Sequence, residues 1–180
     1  LTNKQIYLKS SPKDKLLEDN FEFINSKVKD LDHNQVLVEV VYISIDAANR
    51  AWMQGRTYRS QILPGDVMGG YALGKVIATN NNNFNIGDYV EGDLGWQNYA
   101  IRDAKELIKT SIKASENLHM SVLGITGKTA YFGLGLADLK KGETVLISAA
   151  AGAVGNVAGQ IAKIKGCKVI GITSSDEKAL

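Results

Sequence analysis

GETVLISAAAGAVGNVAGQIAKIKGCKVIGIT, residues 142–173, contains the strongest fold signal in the chain. It begins with a continuous apolar run, residues 144–149, typical of a strand buried on both faces of a parallel sheet. Gly166 occupies the position of a helix C-terminal glycine, and residues 168–173 are a second strand segment. Between the strands, apolar side chains recur at helical spacing at Val154, Val157, Ala158, Ile161 and Ile164. This order predicts a strand–helix–strand unit.

The turn inside this unit, residues 148–155 (SAAAGAVG), matches the dinucleotide-binding pattern G-x-G-x-x-G in part. Ala150 replaces the first glycine, and Gly152 and Gly155 keep the other two. Gly152 lets a pyrophosphate approach the backbone, and Gly155 lets the helix pack close to the strand. The first helical N–H groups and the helix dipole favour a phosphate there. The alternative is a small-residue junction packed for structural reasons, but the flanking strands and helix favour dinucleotide binding.

The end of the second strand bears on which dinucleotide binds. A site specific for NAD usually carries an acidic residue about 20 residues past the glycine turn, and this strand ends without a carboxylate. Ser174 and Lys178 offer a hydroxyl and a cation, which favour the 2′-phosphate of NADP. Residues 174–177 (SSDE) also fit a capping box opening a helix, with Lys178 merely solvated. Both interpretations can hold together, and the charges of Asp176 and Glu177 argue against NADP.

The first two-thirds of the chain consist of short strand-like segments separated by glycine-rich turns. Residues 35–45 and 71–78 are rich in Val and Ile and predict two of these strands. Such spacing favours a compact β-barrel or sandwich. From residue 115 the pattern changes, and residues 115–139 predict a helix interrupted at Gly124 and Gly127.

Composition and charge exclude several classes of protein. The 180 residues carry 21 basic and 19 acidic side chains without a Lys/Arg block, which argues against a nucleic-acid partner. The longest apolar stretch, residues 145–154, is too short to cross a bilayer, so no membrane partner is expected. Residues 1–15 lack the apolar core of a signal peptide, and a cytoplasmic location is therefore predicted.

The cysteine and histidine content argues against a metal site. Cys167 is the only thiol, so no internal disulfide can form. His33 and His119 lie far apart in the chain, whereas a zinc site takes about three or four protein ligands at suitable spacings. We therefore expect no metal, a site completed by carboxylates being the alternative.

Several motifs along the whole chain resemble the zinc-free medium-chain dehydrogenases/reductases. The similarity is greatest to the group of leukotriene B4 dehydrogenase/prostaglandin reductase, with the curcumin and alkenal reductases. The matching segments are GKTAYFGL (127–134), residues 142–171, SSDEK (174–178), SIDAANRAWM (44–53), VMGGYALGKVIATN (67–80) and GDLGWQNYAI (92–101).

This resemblance implies a fold and a reaction. Residues 1–115 would form a GroES-like β-barrel substrate domain, and residues 116–180 the start of a Rossmann NADP-binding domain with a doubly wound parallel sheet. NADPH would deliver hydride to the β-carbon of an α,β-unsaturated ketone or aldehyde without a metal, making the protein an oxidoreductase that acts on a small molecule. A quinone oxidoreductase of the same superfamily and a non-catalytic NADPH-binding module are the alternatives. The family also implies a homodimer.

The resemblance assigns cofactor contacts to Ile125, Thr129, Gly152, Ala153, Val154, Gly155, Ser174 and Lys178. The four turn residues would bind pyrophosphate, while Lys178 would meet the 2′-phosphate. Ile125 and Thr129 would lie beside the nicotinamide, although Thr129 is equally read as a helix hydroxyl bonded to its own backbone. The family's catalytic tyrosine falls beyond Leu180, so the catalytic residue is not identified.

Two departures from the family pattern affect the expected substrate. Residues 47–48 are Ala-Ala where the family has Pro-Tyr, so an aromatic wall of the pocket is missing, and Thr126 replaces a proline. Asn49, Arg50 and Trp52 are candidates to line that pocket, with a structural ion pair as the alternative for Arg50.

Because a lone strand–helix–strand end leaves its strands uncovered, the chain is expected to be a fragment, unstable and inactive alone.

Overall fold

A computed structural model describes residues 1–112 and 115–179; Lys113, Ala114 and Leu180 lie outside the described residues. The chain divides into two compact units, Leu1–Lys113 and Ala114–Leu180. Strands dominate the first unit, and helices alternate with strands in the second, which confirms the predicted α/β class. None of the helices in the described ranges is long and apolar enough to cross a lipid bilayer.

The described residues of the first unit form two antiparallel sheets, one α-helix and two short 3-10 helices, Glu18–Asn20 and Ala104–Glu106. Strands β1 and β2 pair with each other, and the remaining five strands form a sheet in the order β6-β3-β4-β5-β7. Helix α1, Ala47–Gln54, connects β3 to β4. The strands are β1 (Thr2–Leu8), β2 (Phe21–Lys27), β3 (Gln35–Ile43), β4 (Tyr71–Thr79), β5 (Tyr89–Asp93), β6 (Tyr99–Asp103) and β7 (Ile108–Thr110).

The two strands predicted in this unit are present. The segment 35–45 forms β3 up to Ile43, and 71–78 forms β4 with one further residue. β3 stops where Ser44 donates a hydrogen bond to the Asp46 carboxylate at 2.8 Å, just before α1 begins. Apolar side chains of these two strands form a buried core with residues from other strands and loops of the unit: Val36, Val38, Ala72, Val76, Phe84, Val90, Leu94, Ala100 and Leu107.

The three residues of α1 that were candidates to line a substrate pocket, Asn49, Arg50 and Trp52, make contacts within the first unit. Asn49 is 3% exposed and donates to the carbonyl of Gly69 at 3.0 Å. Trp52 is 6% exposed, and the Arg59 guanidinium stacks over its ring at 4.5 Å from the centroid. Arg50 donates to the backbone carbonyl of Asp14 and not to a carboxylate. These contacts, together with the buried side chains on the inner face of α1, hold the helix against the rest of the first unit.

The second unit contains the predicted strand–helix–strand arrangement. Strand β8 (Thr144–Ile147) and strand β9 (Lys168–Gly171) are parallel, and helix α4 (Ala153–Ile164) connects them. Gly166 ends α4 with a positive φ of 82°, and its N–H donates to the carbonyl of Lys163 at 2.9 Å. This is the left-handed conformation that favours glycine after a helix, as the sequence predicted.

The helix predicted over residues 115–139 is two helices. Helix α2 (Glu116–Met120) and helix α3 (Ile125–Leu136) are separated by a turn that contains Gly124. The predicted interruption at Gly127 is wrong, because Gly127 lies inside α3. A Cβ atom there would lie 1.6 Å from the carbonyl oxygen of Val122, so this glycine permits a close approach of the preceding turn.

The strands of the second unit are shorter than predicted, and one face of β8 is exposed. β8 ends at Ile147, two residues before Ala149 adopts a φ of +50°, and β9 ends at Gly171. A Cβ at Gly159 of α4 would lie 3.7 Å from side-chain atoms of Ile147, so α4 covers that face. Leu146 points to the opposite face and is 64% exposed. In the described residues one face of β8 is thus uncovered, as the sequence analysis expected for a lone strand–helix–strand end.

Candidate cofactor site

The turn between β8 and α4 is closed by backbone hydrogen bonds. The N–H of Gly152 donates to the carbonyl of Ala149 at 2.8 Å, and the N–H of Asn156 donates to the carbonyl of Gly152 at 2.8 Å. The N–H of Ala150 donates at 3.0 Å to the carbonyl of Ile172, which follows β9. The turn is therefore anchored both to the first turn of α4 and to the chain leaving the second strand.

The two glycines of the turn differ in what surrounds them. A Cβ at Gly155 would lie 2.4 Å from the carbonyl oxygen of Ala149 and 2.9 Å from Cα of Ala150, so no side chain fits. A Cβ at Gly152 would meet only the Ala149 carbonyl oxygen, at 3.1 Å. Packing within the chain thus requires glycine at 155, whereas glycine at 152 leaves one side of the backbone uncovered.

Alanine at the first glycine position is accommodated by the strand beside it. A Cβ built on Gly171 at the end of β9 would lie 2.7 Å from Cβ of Ala150. The missing side chain at Gly171 therefore supplies the room that the methyl group of Ala150 needs. The departure from the G-x-G-x-x-G pattern is compensated across the two strands.

Helix α4 begins without a side-chain cap. Gly152 is its N-cap, so no side-chain oxygen accepts a hydrogen bond from the first N–H groups, and the first turn contains no acidic residue. Gly152, Ala153 and Val154 are all exposed. The N-terminal N–H groups of a helix need an acceptor and carry a partial positive charge, so this end of α4 suits an anion.

A cavity of about 450 Å³ joins this turn to the end of β9. Ile172 and Ala151 give it an apolar wall, and Ser174 and Lys178 give it a polar end. It is lined by Ala149, Ala151, Gly152, Ile172, Thr173, Ser174 and Lys178. The geometry brings together the glycine turn and the strand-end residues that the sequence analysis singled out separately.

The polar end of the cavity carries a cation. The ammonium of Lys178 donates to the hydroxyl of Ser174 at 3.3 Å. Among the described residues, no ion pair joins Lys178 to Asp176 or Glu177, although both precede it in the one-turn 3-10 helix Asp176–Lys178. The capping box considered for residues 174–177 is absent, because the Ser175 side chain makes no cap hydrogen bond.

The predicted nicotinamide contacts do not line this cavity. Ile125 and Thr129 are on α3, and Ile125 is the first residue of that helix. The hydroxyl of Thr129 donates to the carbonyl of Ile125 at 2.7 Å, which is the ordinary helix hydrogen bond considered as the alternative. Their assignment to the cofactor stays a prediction.

Four further lining residues were not among the predicted cofactor contacts: Ala149, Ala151, Ile172 and Thr173. The signal that could have found them is topological. The carboxyl ends of two parallel strands meet at one edge of a sheet, so the residues just after β8 and just after β9 become neighbours.

The contrast between these glycines predicts a difference in stability. We expect Gly155→Ala to lower the free energy of unfolding by about 1–3 kcal/mol, because the new methyl group collides with backbone that cannot move aside. Gly133→Ala on α3 is the matched control, since nothing lies within 4 Å of its Cβ position. We expect this control to raise the free energy of unfolding by up to about 1 kcal/mol, because alanine has a higher helix propensity than glycine. Urea unfolding of both variants measures the difference, and equal stabilities would contradict the packing described for Gly155.

Comparison with known proteins adds independent information. Residues 4–110 match the model of a family described as the N-terminal domain of oxidoreductase. Prostaglandin reductase 1 of Mus musculus is 40% identical over 164 residues, which cover 88% of this chain and 48% of that protein. The NADPH-dependent curcumin reductase of Escherichia coli is 35% identical over 179 residues, which cover 98% of this chain and 52% of that protein. The chain thus spans about half the length of the curated relatives it matches.

A solved structure provides the same comparison in three dimensions. CurA from Vibrio vulnificus, in complex with NADPH, superposes with a TM-score of 0.87 at 35% sequence identity. The match covers 97% of this chain and 52% of that one. Nearly the whole chain therefore has a structural counterpart in a protein that was solved with this dinucleotide.

Proposed function

This chain belongs to the medium-chain dehydrogenase/reductase family, in the group of the prostaglandin, curcumin and alkenal reductases, and from this premise we propose that it binds NADPH. The observation that carries the proposal is the cavity that unites an uncapped helix N-terminus with the Lys178 ammonium, which bonds the Ser174 hydroxyl. One ligand with two separated anionic groups satisfies both features. NADPH has such groups in its diphosphate and its 2′-phosphate.

The diphosphate would lie against the turn of Gly152, Ala153, Val154 and Gly155. Gly152 supports this placement because its open side lets phosphate oxygens reach the backbone. The uncapped N–H groups at the start of α4 would donate to those oxygens, and the helix dipole would stabilise their charge. Gly155 would contribute indirectly, by allowing α4 to begin close enough to the turn.

The 2′-phosphate would lie at the other end of the cavity. Lys178 supports this because its ammonium already bonds the Ser174 hydroxyl, so both groups converge on one place. The ammonium and the hydroxyl can each donate to a phosphate oxygen. A dinucleotide without the 2′-phosphate would lose these contacts, which makes this end of the cavity the source of preference for NADPH over NADH.

The reaction proposed for the whole protein is reduction of a C=C bond in an α,β-unsaturated ketone or aldehyde. NADPH supplies the hydride when it is bound. The relatives named prostaglandin reductase, curcumin reductase and 2-alkenal reductase support this substrate class. Ile125 and Thr129 at the start of α3 would lie beside the nicotinamide.

The finer expectations for the whole protein also stay predictions. They are a GroES-like barrel followed by a Rossmann sheet, chemistry without zinc, a homodimer and a cytoplasmic location.

Gly152→Ala separates cofactor binding from folding. A methyl group at residue 152 would lie 3.1 Å from the Ala149 carbonyl oxygen, a tight contact but a longer one than the 2.4 Å at residue 155, and it would cover the backbone where the diphosphate would lie. We expect the variant of the full-length protein to lose less stability in urea than Gly155→Ala and to bind NADPH at least about tenfold more weakly. Calorimetric titration measures the binding. Unchanged affinity in a folded variant would show that the diphosphate lies elsewhere.

Lys178→Ala tests the preference for NADPH. We expect it to weaken NADPH binding by roughly 1.5–3 kcal/mol, the range for hydrogen bonds to charged groups, and to leave NADH binding nearly unchanged. Lys163→Ala, in the last turn of α4, is the control because it removes one exposed lysine away from the cavity. Equal losses for both dinucleotides would count against a 2′-phosphate contact at Lys178.

The reaction is tested on the full-length protein, because the chain spans about half of its relatives' length. Oxidation of NADPH is followed at its absorbance maximum with an enone, with a quinone and without acceptor. We expect turnover with the enone and formation of the saturated ketone. Turnover with the quinone alone would assign the protein to the quinone oxidoreductases. Binding without turnover of any acceptor would indicate a non-catalytic NADPH-binding module.

A further inference from the structure

A second polar cavity, of about 290 Å³, lies in the first unit, where the β1–β2 pair meets β6. It is built entirely from residues of that unit and shares none with the cofactor cavity. Nothing in the proposed reductase function uses it. Its floor, its charge and its size together indicate what it can bind.

The floor of this cavity is a network of buried amides. Asn3, Gln5 and Gln97 are each at most 9% exposed. The amide groups of Asn3 and Gln5 donate to the Gln97 side-chain oxygen at 3.0 and 2.7 Å. The Ser26 hydroxyl donates to the Gln5 side-chain oxygen at 2.6 Å. With the bond from the Gln97 side-chain nitrogen to the Leu94 carbonyl, these contacts fix the amides in place. Among the described residues they leave one side-chain N–H of Gln5 and one of Gln97 to donate to a ligand.

Arg102 is a cation held in place at the rim. Its Nε donates to the carbonyl of Asp93 at 2.7 Å, and its Nη1 donates to the carbonyl of Ile101 at 2.8 Å. These bonds use two of the five guanidinium N–H groups, and no carboxylate among the described residues pairs with Arg102. A half-buried guanidinium is therefore oriented by the backbone, with its charge uncompensated and N–H groups left to donate.

Two lysines add to this charge. Lys27 and Lys29, at and just after the end of β2, line the cavity together with Arg102, and no acidic residue lines it. Three positive charges thus converge on a small cleft with a neutral, polar floor. Because the planar fork of arginine matches the geometry of phosphate and carboxylate, this arrangement suits an anion with more than one charge.

We propose that this cleft binds a small dianion that carries hydroxyl groups, of the class of a polyol phosphate or a hydroxydicarboxylate. Arg102 would hold one anionic group through its remaining N–H groups, and the two lysines would balance the charge. The remaining side-chain N–H groups of Gln5 and Gln97 would donate to the ligand's hydroxyl groups, and the Ser26 oxygen could accept from one of them. A volume of about 290 Å³ is at the lower end for ligand sites, which fits a molecule of this size better than a nucleotide.

The test is calorimetric titration of the full-length protein with glycerol phosphate and with tartrate, at constant ionic strength set by sodium chloride. We expect saturable binding of at least one probe, weakened at least about tenfold in Arg102→Gln and less in Arg102→Lys, which keeps the charge. Lys9→Ala, an exposed lysine outside the cleft, should leave binding unchanged. The two probes distinguish a phosphate ligand from a carboxylate ligand.

A second variant keeps the proposal testable if Arg102→Gln does not fold. Lys27 and Lys29 are exposed, so their replacement by alanine together should preserve folding and still weaken binding. Absence of saturable binding by both probes, or equal affinity in all variants, would overturn the proposal and indicate an adventitious ion only. Binding that depends on Lys178 and not on Arg102 would place the ligand in the cofactor cavity, which also overturns it.

Discussion

The close approach of α4 to the carbonyl of Ala149 is the steric constraint on which the cofactor site depends. With no side chain at Gly155, the first turn of the helix lies directly against the turn that leaves β8. That position determines where the N-terminal N–H groups of α4 are directed. A side chain at 155 would displace the helix, and the anion-attracting end of its dipole would move with it.

The same geometry explains why the site combines residues that are far apart in sequence. Ala150 is hydrogen-bonded to Ile172 across the strand ends, and its methyl group lies over Gly171. The turn and the end of β9 are therefore held together by the chain itself, before any ligand binds. Ser174 and Lys178 follow directly and complete the polar end of the cavity. A ligand bound as proposed would meet a preformed arrangement, and little ordering would be required when it binds.

The sequence was sufficient to predict what depends on local pattern. The change from helical to strand periodicity predicted β8, α4 and β9, and the glycine at 166 predicted where α4 ends. Features set by contacts between segments were not predictable in this way. Glycine at 127 suggested a helix break, yet Gly127 lies within α3, where the absence of a side chain leaves room for the backbone carbonyl of Val122. Trp52 suggested a pocket aromatic, yet its side chain is buried and the Arg59 guanidinium lies over its ring.

The most direct measurement of the central claim is a crystal structure of the full-length protein grown with NADPH. We expect diphosphate oxygens about 3 Å from the backbone nitrogens at the start of α4, between Gly152 and Gly155, with the 2′-phosphate beside Lys178. Electron density for the dinucleotide at any other surface of the chain would contradict it. So would a turn that rearranges to direct the first N–H groups of α4 away from the phosphates.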